Sequence, residues 1–233
     1  GAMLELRNVS YHPATAAQPV LRDLNLTLPV GRVALVAGRS GSGKTTLLEV
    51  ISGLAEPSSG QVLWEGERLN GRQLRWLCGL VFQFPERHFL GLSVGQELKL
   101  GHRRLTAEEA QAALQLVGME GLSLQQAPEQ LSGGQQRRLA LAVQLLRNPR
   151  VLLLDEPFNG VDVRTEQLMA QLFLQFRQEG RTILISTHDL GHIREFCDLV
   201  VLINRTVLAY GETSAVFTPE NLARTFGGMV PKP

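Results

Sequence analysis

The sequence predicts an α/β fold: a mainly parallel core sheet, an antiparallel β subdomain and an inserted helical subdomain. Three observations predict it. The runs VALVA (33–37), VLLLD (151–155), TILIS (182–186) and LVVLI (199–203) are apolar almost throughout, as strands buried on both faces of a parallel sheet are. Helical patterns lie between them, so the strands are joined by right-handed crossovers. Residues 4–11 and 20–28 instead alternate apolar and polar side chains, the pattern of half-buried antiparallel strands.

In chain order, Gly1-Ala2-Met3 reads as a tag-cleavage remnant, and no secretory signal heads the sequence. The first alternating strand, Leu4 to Tyr11, is followed by HPATAAQP, a loop by its prolines and small residues, and by the second, Val20 to Leu28. VALVA runs directly into GRSGSGKT (38–45) and then into the apolar helical run TLLEVISGL. A further apolar run, CGLVFQ, ends at Gln83. Residues from about 84 to 130 carry helix and loop signals but no buried strand, and read as a helical insertion; within them Thr106-Ala-Glu-Glu109 is a capping-box signature ahead of AQAALQLV. LSGGQQRR (131–138) opens another helix, stopped by Asn148-Pro149. After Gly211, SAVF and NLARTF suggest two small helical turns. The expected organisation is therefore a core over 4–210 with its insertion at 84–130, and a short helical tail over 211–233.

Composition narrows the function classes. Net charge is +1, from 23 basic and 22 acidic residues, so nothing calls for a nucleic-acid partner. The apolar runs fall far short of the ~18 residues of a membrane span, so any role at a membrane needs a spanning partner. Cys78 and Cys197, in LCGLVF and FCDLVVLI, read as buried reduced thiols, with no metal-cluster spacing.

The motifs carry the chemistry. Gly38, Arg39, Ser40, Gly41, Ser42, Gly43, Lys44 and Thr45, with Thr46 behind them, sit between a buried strand and a helix, where a phosphate-binding loop belongs. The glycines let successive N–H groups converge on phosphates, Lys44 would neutralise the β- and γ-phosphates, and the Thr45 hydroxyl would meet Mg²⁺. VLLLDE ends a buried strand in two carboxylates that point differently: Asp155 to hold Mg²⁺ and Glu156 to polarise an attacking water. Two acids that merely terminate a strand are the alternative. Gln83 can touch metal shell and water without adding charge, or stand at a strand end in solvent. His188, after ILIST, is either a structural histidine or a donor to a terminal phosphate. LSGGQ offers a second helix N-terminus to an anion; a capped surface helix with its arginines in water is the other reading.

The ordered set GRSGSGKT, Gln83, LSGGQ, VLLLDEP, Asp162 and His188 resembles the nucleotide-binding subunit of ABC transporters, over about residues 4–210. The resemblance implies a P-loop NTPase of the ABC ATPase type, with ATP and Mg²⁺ as cofactors. It implies two subunits set head to tail, each ATP lying on one subunit's GRSGSGKT loop and covered by Ser132, Gly133, Gly134, Gln135 and the Asp162 loop of the other. Glu156, His188 and Gln83 are then catalytic, and Thr45, Gln83 and Asp155 surround the metal. Tyr11 is the nearest aromatic for stacking on adenine, with His12 or Pro13 in the loop position as alternatives and plain strand packing as another. Phe158 and Asn159 depart from the smaller or hydroxyl residues of commoner family forms.

FQFPE (82–86) and RHFLGLSVGQEL after it are similar to the energy-coupling-factor branch, including cyanobacterial and plastid relatives, whose ATPases drive uptake of vitamins or transition-metal ions. Phe84, Phe89 and Leu90 are contacts for a membrane subunit or packing within the insertion. The partners implied are a second ABC ATPase subunit, identical or paralogous, and an integral membrane transporter subunit, with this chain cytoplasmic and peripheral on the inner face of a plasma membrane or plastid equivalent. Two alternatives stay open: a soluble ABC ATPase of iron–sulfur cluster assembly, and a regulatory module without turnover. A DNA-end ATPase is disfavoured, because only 88 positions separate Lys44 from Ser132, with no coiled-coil heptads between.

Overall fold

The computed structural model describes residues 3–191 and 193–227; Gly1 and Ala2 of the expected tag remnant and residues 228–233 of the expected tail lie outside them. In chain order the elements are β1 (Met3–Tyr11), β2 (Leu21–Pro29), β3 (Val33–Ala37), α1 (Lys44–Ile51), β4 (Ser59–Trp64), β5 (Glu67–Arg68), α2 (Gly71–Leu77), β6 (Cys78–Val81), α3 (Val94–Gly101), α4 (Ala107–Leu116), α5 (Gly133–Leu146), β7 (Val151–Asp155), α6 (Val163–Gln178), β8 (Thr182–Thr187), β9 (Leu199–Asn204), β10 (Thr206–Glu212), α7 (Thr213–Val216) and α8 (Pro219–Phe226). β2-β1-β4-β5 form an antiparallel sheet, and β10-β9-β3-β8-β7-β6 form the larger one, parallel except for the antiparallel edge strand β10.

The apolar runs are buried on both faces because each serves two cores in alternation. Val33, Leu35 and Ala37 of β3 face the side covered by the long helices, while Ala34 and Val36 face the side holding α1 and the antiparallel sheet. Leu152 and Leu154 of β7 divide in the same way from Val151 and Leu153. This is why these strands lack the period-two polarity of β1 and β2, which each leave one face in water.

Among the described residues, 84–130 contain α3, α4 and single 3₁₀ turns and no strand. The insertion has no core of its own. Val94, Leu98 and Leu114 join the apolar cluster that contains Leu139 of α5 and Leu152 of β7, so α5 bridges the insertion to the sheet. Met3, expected to belong to a tag remnant, pairs with Pro29 as the first residue of β1. The expected boundary between 210 and 211 falls inside β10, and Val216, Leu222 and Phe226 of α7 and α8 are buried in the same large core. β10 escapes a reading by pattern because six of its residues are half-buried, with neither alternation nor a continuous buried run.

Candidate functional site

Most of the residues singled out by sequence collect at the carboxyl ends of β3, β6, β7 and β8, the edge at which open parallel sheets bind ligands. The chain leaves β3 through a loop that demands glycine. A Cβ on Gly38 would lie 2.4 Å from the Ile203 carbonyl oxygen, and Gly43 combines φ 100° with a Cβ position 2.7 Å from Leu21 Cδ2. Gly43 is also the N-cap of α1, which has no side-chain cap and no acidic residue in its first turn. The opening N–H groups of α1 are therefore left to an anion. Lys44, 7% exposed, donates from Nζ to the carbonyls of Gly38 at 2.6 Å and Arg39 at 2.8 Å, closing the loop from within. Burial pulls its pKa down, opposed by the charges of Glu156 and Asp155. Ser42 is buried, and its hydroxyl has no hydrogen-bond partner. Arg39, Ser40, Gly41 and Thr45 are exposed and Thr46 is half-buried.

The two carboxylates separate as strand geometry requires. Asp155, at the end of β7, accepts from the Thr45 hydroxyl at 3.1–3.2 Å and from the Ser186 hydroxyl at 2.7 Å. Ser186 was not among the residues expected. Its place opposite Asp155 follows from the parallel register of β7 and β8, which pattern alone does not fix. Glu156 lies one residue beyond and takes a left-handed φ of 47°, its N–H donating to the Ser186 carbonyl at 3.1 Å. That turn aims its carboxylate at His188. Glu156 Oε1 accepts from the His188 backbone N–H at 2.9 Å and lies 2.8 Å from Nδ1. A carboxylate acceptor places the ring proton on Nδ1 and leaves Nε2 free. Glu156, Phe158, Gly160, Glu166 and His188 line a cavity of ≈ 180 Å³.

Gln83 is not joined to this group. It stands two residues past β6, half-buried, and its carbonyl accepts from Arg137 Nε at 3.2 Å. Among the described residues no hydrogen bond links its side chain to Asp155 or Glu156. Tyr11, at the end of β1, is half-buried against the core beneath α1. It pairs with Leu21, the residue that bears on Gly43, so one strand separates it from the phosphate loop. His12 Nε2 is occupied by the Ala16 carbonyl at 2.8 Å, within its own loop.

The LSGGQ stretch caps α5. Ser132 Oγ accepts from the Gln135 N–H at 3.2 Å, and Gln135 Oε1 accepts from the Ser132 N–H at 2.9 Å. Its arginines are half-buried and bound to backbone carbonyls. Arg137 holds the Gln83 carbonyl, and Arg138 donates to the carbonyls of Gly134 and Gly118, at 3.3 Å each. Burial lowers the pKa of both. Asp162 caps α6, accepting from the Thr165 N–H at 2.7 Å, a bond that holds its pKa below the usual carboxylate value. Phe158, a departure from commoner forms, anchors its loop against Phe173, with ring centroids 5.8 Å apart.

These residues fit a triphosphate with a divalent cation. Uncapped helix N–H groups, a closed loop and a buried lysine supply the phosphate cradle. Among the described residues no cluster of three or more His, Cys, Asp or Glu could hold a metal alone. One carboxylate and one hydroxyl, as Asp155 and Thr45 offer, are what Mg²⁺ takes when phosphates complete its shell.

Residues 21–159 match the family model described as ABC transporter. The chain is 40% identical, over 237 aligned positions covering 95% of it and 88% of the relative, to the manganese transport system ATP-binding protein MntA of Synechocystis sp.. It is 32% identical, over 96% of its length and 87% of the relative's, to the energy-coupling factor transporter ATP-binding protein EcfA2 of Thermotoga maritima. Among solved structures it superimposes with a TM-score of 0.80, 28% identity and coverage of 90% and 98% on the dimeric post-hydrolysis state of the ATP-binding cassette MJ0796 bound to ADP and Pi. Among the described residues no helix is long and apolar enough to cross a membrane.

Proposed function

This chain belongs to the ATP-binding, ATP-hydrolysing subunits of ABC transporters, and from that premise we propose that it powers metal-ion or energy-coupling-factor-type uptake by closing head to tail on a second ATPase subunit. The observation that carries the pairing is the pair Gly133 and Gly134. A Cβ at either would meet nothing within 4 Å, and neither adopts a positive φ. Nothing among the described residues asks for glycine there, although glycine is a poorer helix former than alanine. A surface that must approach bare α5 backbone from outside supplies the reason, and the phosphates held on a second subunit's Gly38–Thr45 loop are such a surface. The MJ0796 cassette, dimeric with ADP and Pi bound, supports the pairing of two such subunits.

Within each site the chain's own groups divide the work. The Gly38–Gly43 backbone and the α1 N-terminus orient the phosphates, with Lys44 inside the loop to offset their charge. Thr45 and Asp155 would hold Mg²⁺, which when bound neutralises charge on the terminal phosphates. Glu156 holds the water that attacks the γ-phosphorus and draws its proton as the bond to the β–γ bridging oxygen breaks and ADP leaves with that oxygen, and His188 fixes the carboxylate through Nδ1, with Nε2 left for the terminal phosphate. Gln83 approaches once its loop is pressed toward the site, and Tyr11 is the adenine platform. A transition-metal ion is the cargo favoured by the manganese-transport relative. The membrane-spanning partner sits on the apolar surface around Phe84, Phe89 and Leu90. The test is turnover and trapping: with Mg²⁺ the purified chain hydrolyses ATP, and Glu156→Gln retains nucleotide in a dimer without hydrolysis. Brisk turnover by Glu156→Gln would refute the assignment of the base.

A further inference from the structure

The arginine pair Arg137-Arg138 belongs to none of the roles above. Arg137 leaves the second turn of α5 and meets two segments of the catalytic edge at once. Its Nε donates to the Gln83 carbonyl at 3.2 Å. Its Nη1 and Nη2 lie 4.0 and 3.9 Å from where a Cβ on Gly160 would stand, so a side chain at 160 would meet the guanidinium. The Glu156 carbonyl accepts from the Asn159 N–H at 3.2 Å, and Gly160 lies in the turn that follows, where the Phe158 carbonyl accepts from the Val161 N–H at 3.4 Å. Glu86, three residues past Gln83, attracts the same cation. One half-buried side chain thus runs from the helix that carries LSGGQ to the loop that carries Gln83, with its head beside the Cβ position of Gly160, four residues past Glu156.

We propose that Arg137 is a positioning residue that registers the Gln83 loop and the 156–160 turn against α5. A displacement imposed on the apolar surface around Phe84 then moves Gln83 and Glu156 together rather than separately. The guanidinium suits this work because its planar fork presents donors in two directions from a rigid frame; a lysine offers one point of charge on a flexible stem. The inference rests on reading Glu156 as the base, and goes beyond it by naming what holds that base in register with Gln83.

Steady-state ATP hydrolysis by the full chain tests it, with Arg137→Gln and Arg137→Lys measured beside the parent and Glu156→Gln. The expected result is a kcat lowered about tenfold in Arg137→Gln, with KM for ATP within about twofold and an unchanged melting midpoint. Arg137→Lys, keeping charge and one donor, recovers part of the lost kcat. ATP binding measured on Glu156→Gln is the same with and without Arg137→Gln. Parental kcat in Arg137→Gln overturns the inference. So does a loss in which kcat, KM and melting midpoint all shift together and lysine recovers nothing, since that marks a residue serving packing alone. Should Glu156→Gln itself turn over at the parental rate, the failure lies with the base assignment, and the inference falls with it.

Discussion

Lys44 is nearly inaccessible; its ammonium gives two of its three N–H donors to loop carbonyls and lies in the field of Glu156 and Asp155. The loop is thus held in shape before any phosphate arrives, by the cation that later faces it. Removing it takes away a charged hydrogen-bond donor, worth about 1.5–3 kcal/mol, and frees both carbonyls. Lys44→Ala should therefore weaken ATP binding roughly tenfold to a hundredfold in a calorimetric titration; equal affinity would place the phosphates elsewhere. The thiols give a second residue-scale test. Burial raises both Cys78 and Cys197 to about 12 from a reference of 9.0. Each holds its proton more tightly folded than unfolded. Their contribution to stability is therefore intact below about pH 9 and is lost as pH rises toward 12. Neither should react with a thiol reagent at pH 8 until denaturant is added. Between pH 9 and 11 a Cys78→Ala, Cys197→Ala variant should lose less stability than the parent.

At the scale of elements, α5 does two jobs with one terminus. Its capping box satisfies Ser132 and Gln135 internally, while the glycines between them leave backbone bare. The two jobs can be separated. Ser132→Ala removes the cap, about 1 kcal/mol of stability, and should weaken ATP-driven dimerisation of Glu156→Gln far less than a bulky charged residue does. Ser132→Arg loses the same cap and adds bulk and charge at the face meant for a neighbour's nucleotide. It should bind ATP as a monomer yet run as a monomer on gel filtration, and a normal dimer peak would contradict the trans arrangement. What could be read in the sequence follows the same division. β3, β7, β8 and β9 were legible because both faces are apolar, and the α4 capping box because four residues contain it. β4 begins with exposed Ser59-Gly60, and α2 buries only Leu74, so neither carries a period. Residue types at motif spacing were enough for Thr45, Asp155 and Glu156. Ser186 and Arg137 were not legible, because their roles come from strand register and from a side chain that reaches across elements.

At the scale of the whole molecule, the larger of the two cores extends from the helical insertion through α5 and the sheet to α7 and α8. The last helices are therefore structural. Leu222, fully buried, should cost about 2–5 kcal/mol when changed to alanine, read as a lower denaturation midpoint. The same continuity leaves one region unfinished. Trp76, Phe84, Leu90, Leu92 and Leu100 are exposed, Leu90 and Leu92 by more than four-fifths, while Phe82, Pro85, Phe89 and Leu100 line a cavity of ≈ 310 Å³ among them. Exposed apolar side chains beside an apolar cavity make this segment a candidate partner surface. Because α5 packs against the same segment, and Arg137 reaches from α5 to Gln83, a partner seated there presses on the catalytic edge without touching nucleotide. Leu90→Glu with Leu92→Glu should leave ATP turnover of the isolated chain unaltered, since both side chains lie in solvent. The same pair should abolish co-purification with an integral membrane protein from native membranes. Retention of that protein by the double variant would move the docking surface off this face and remove the route from partner to Gln83.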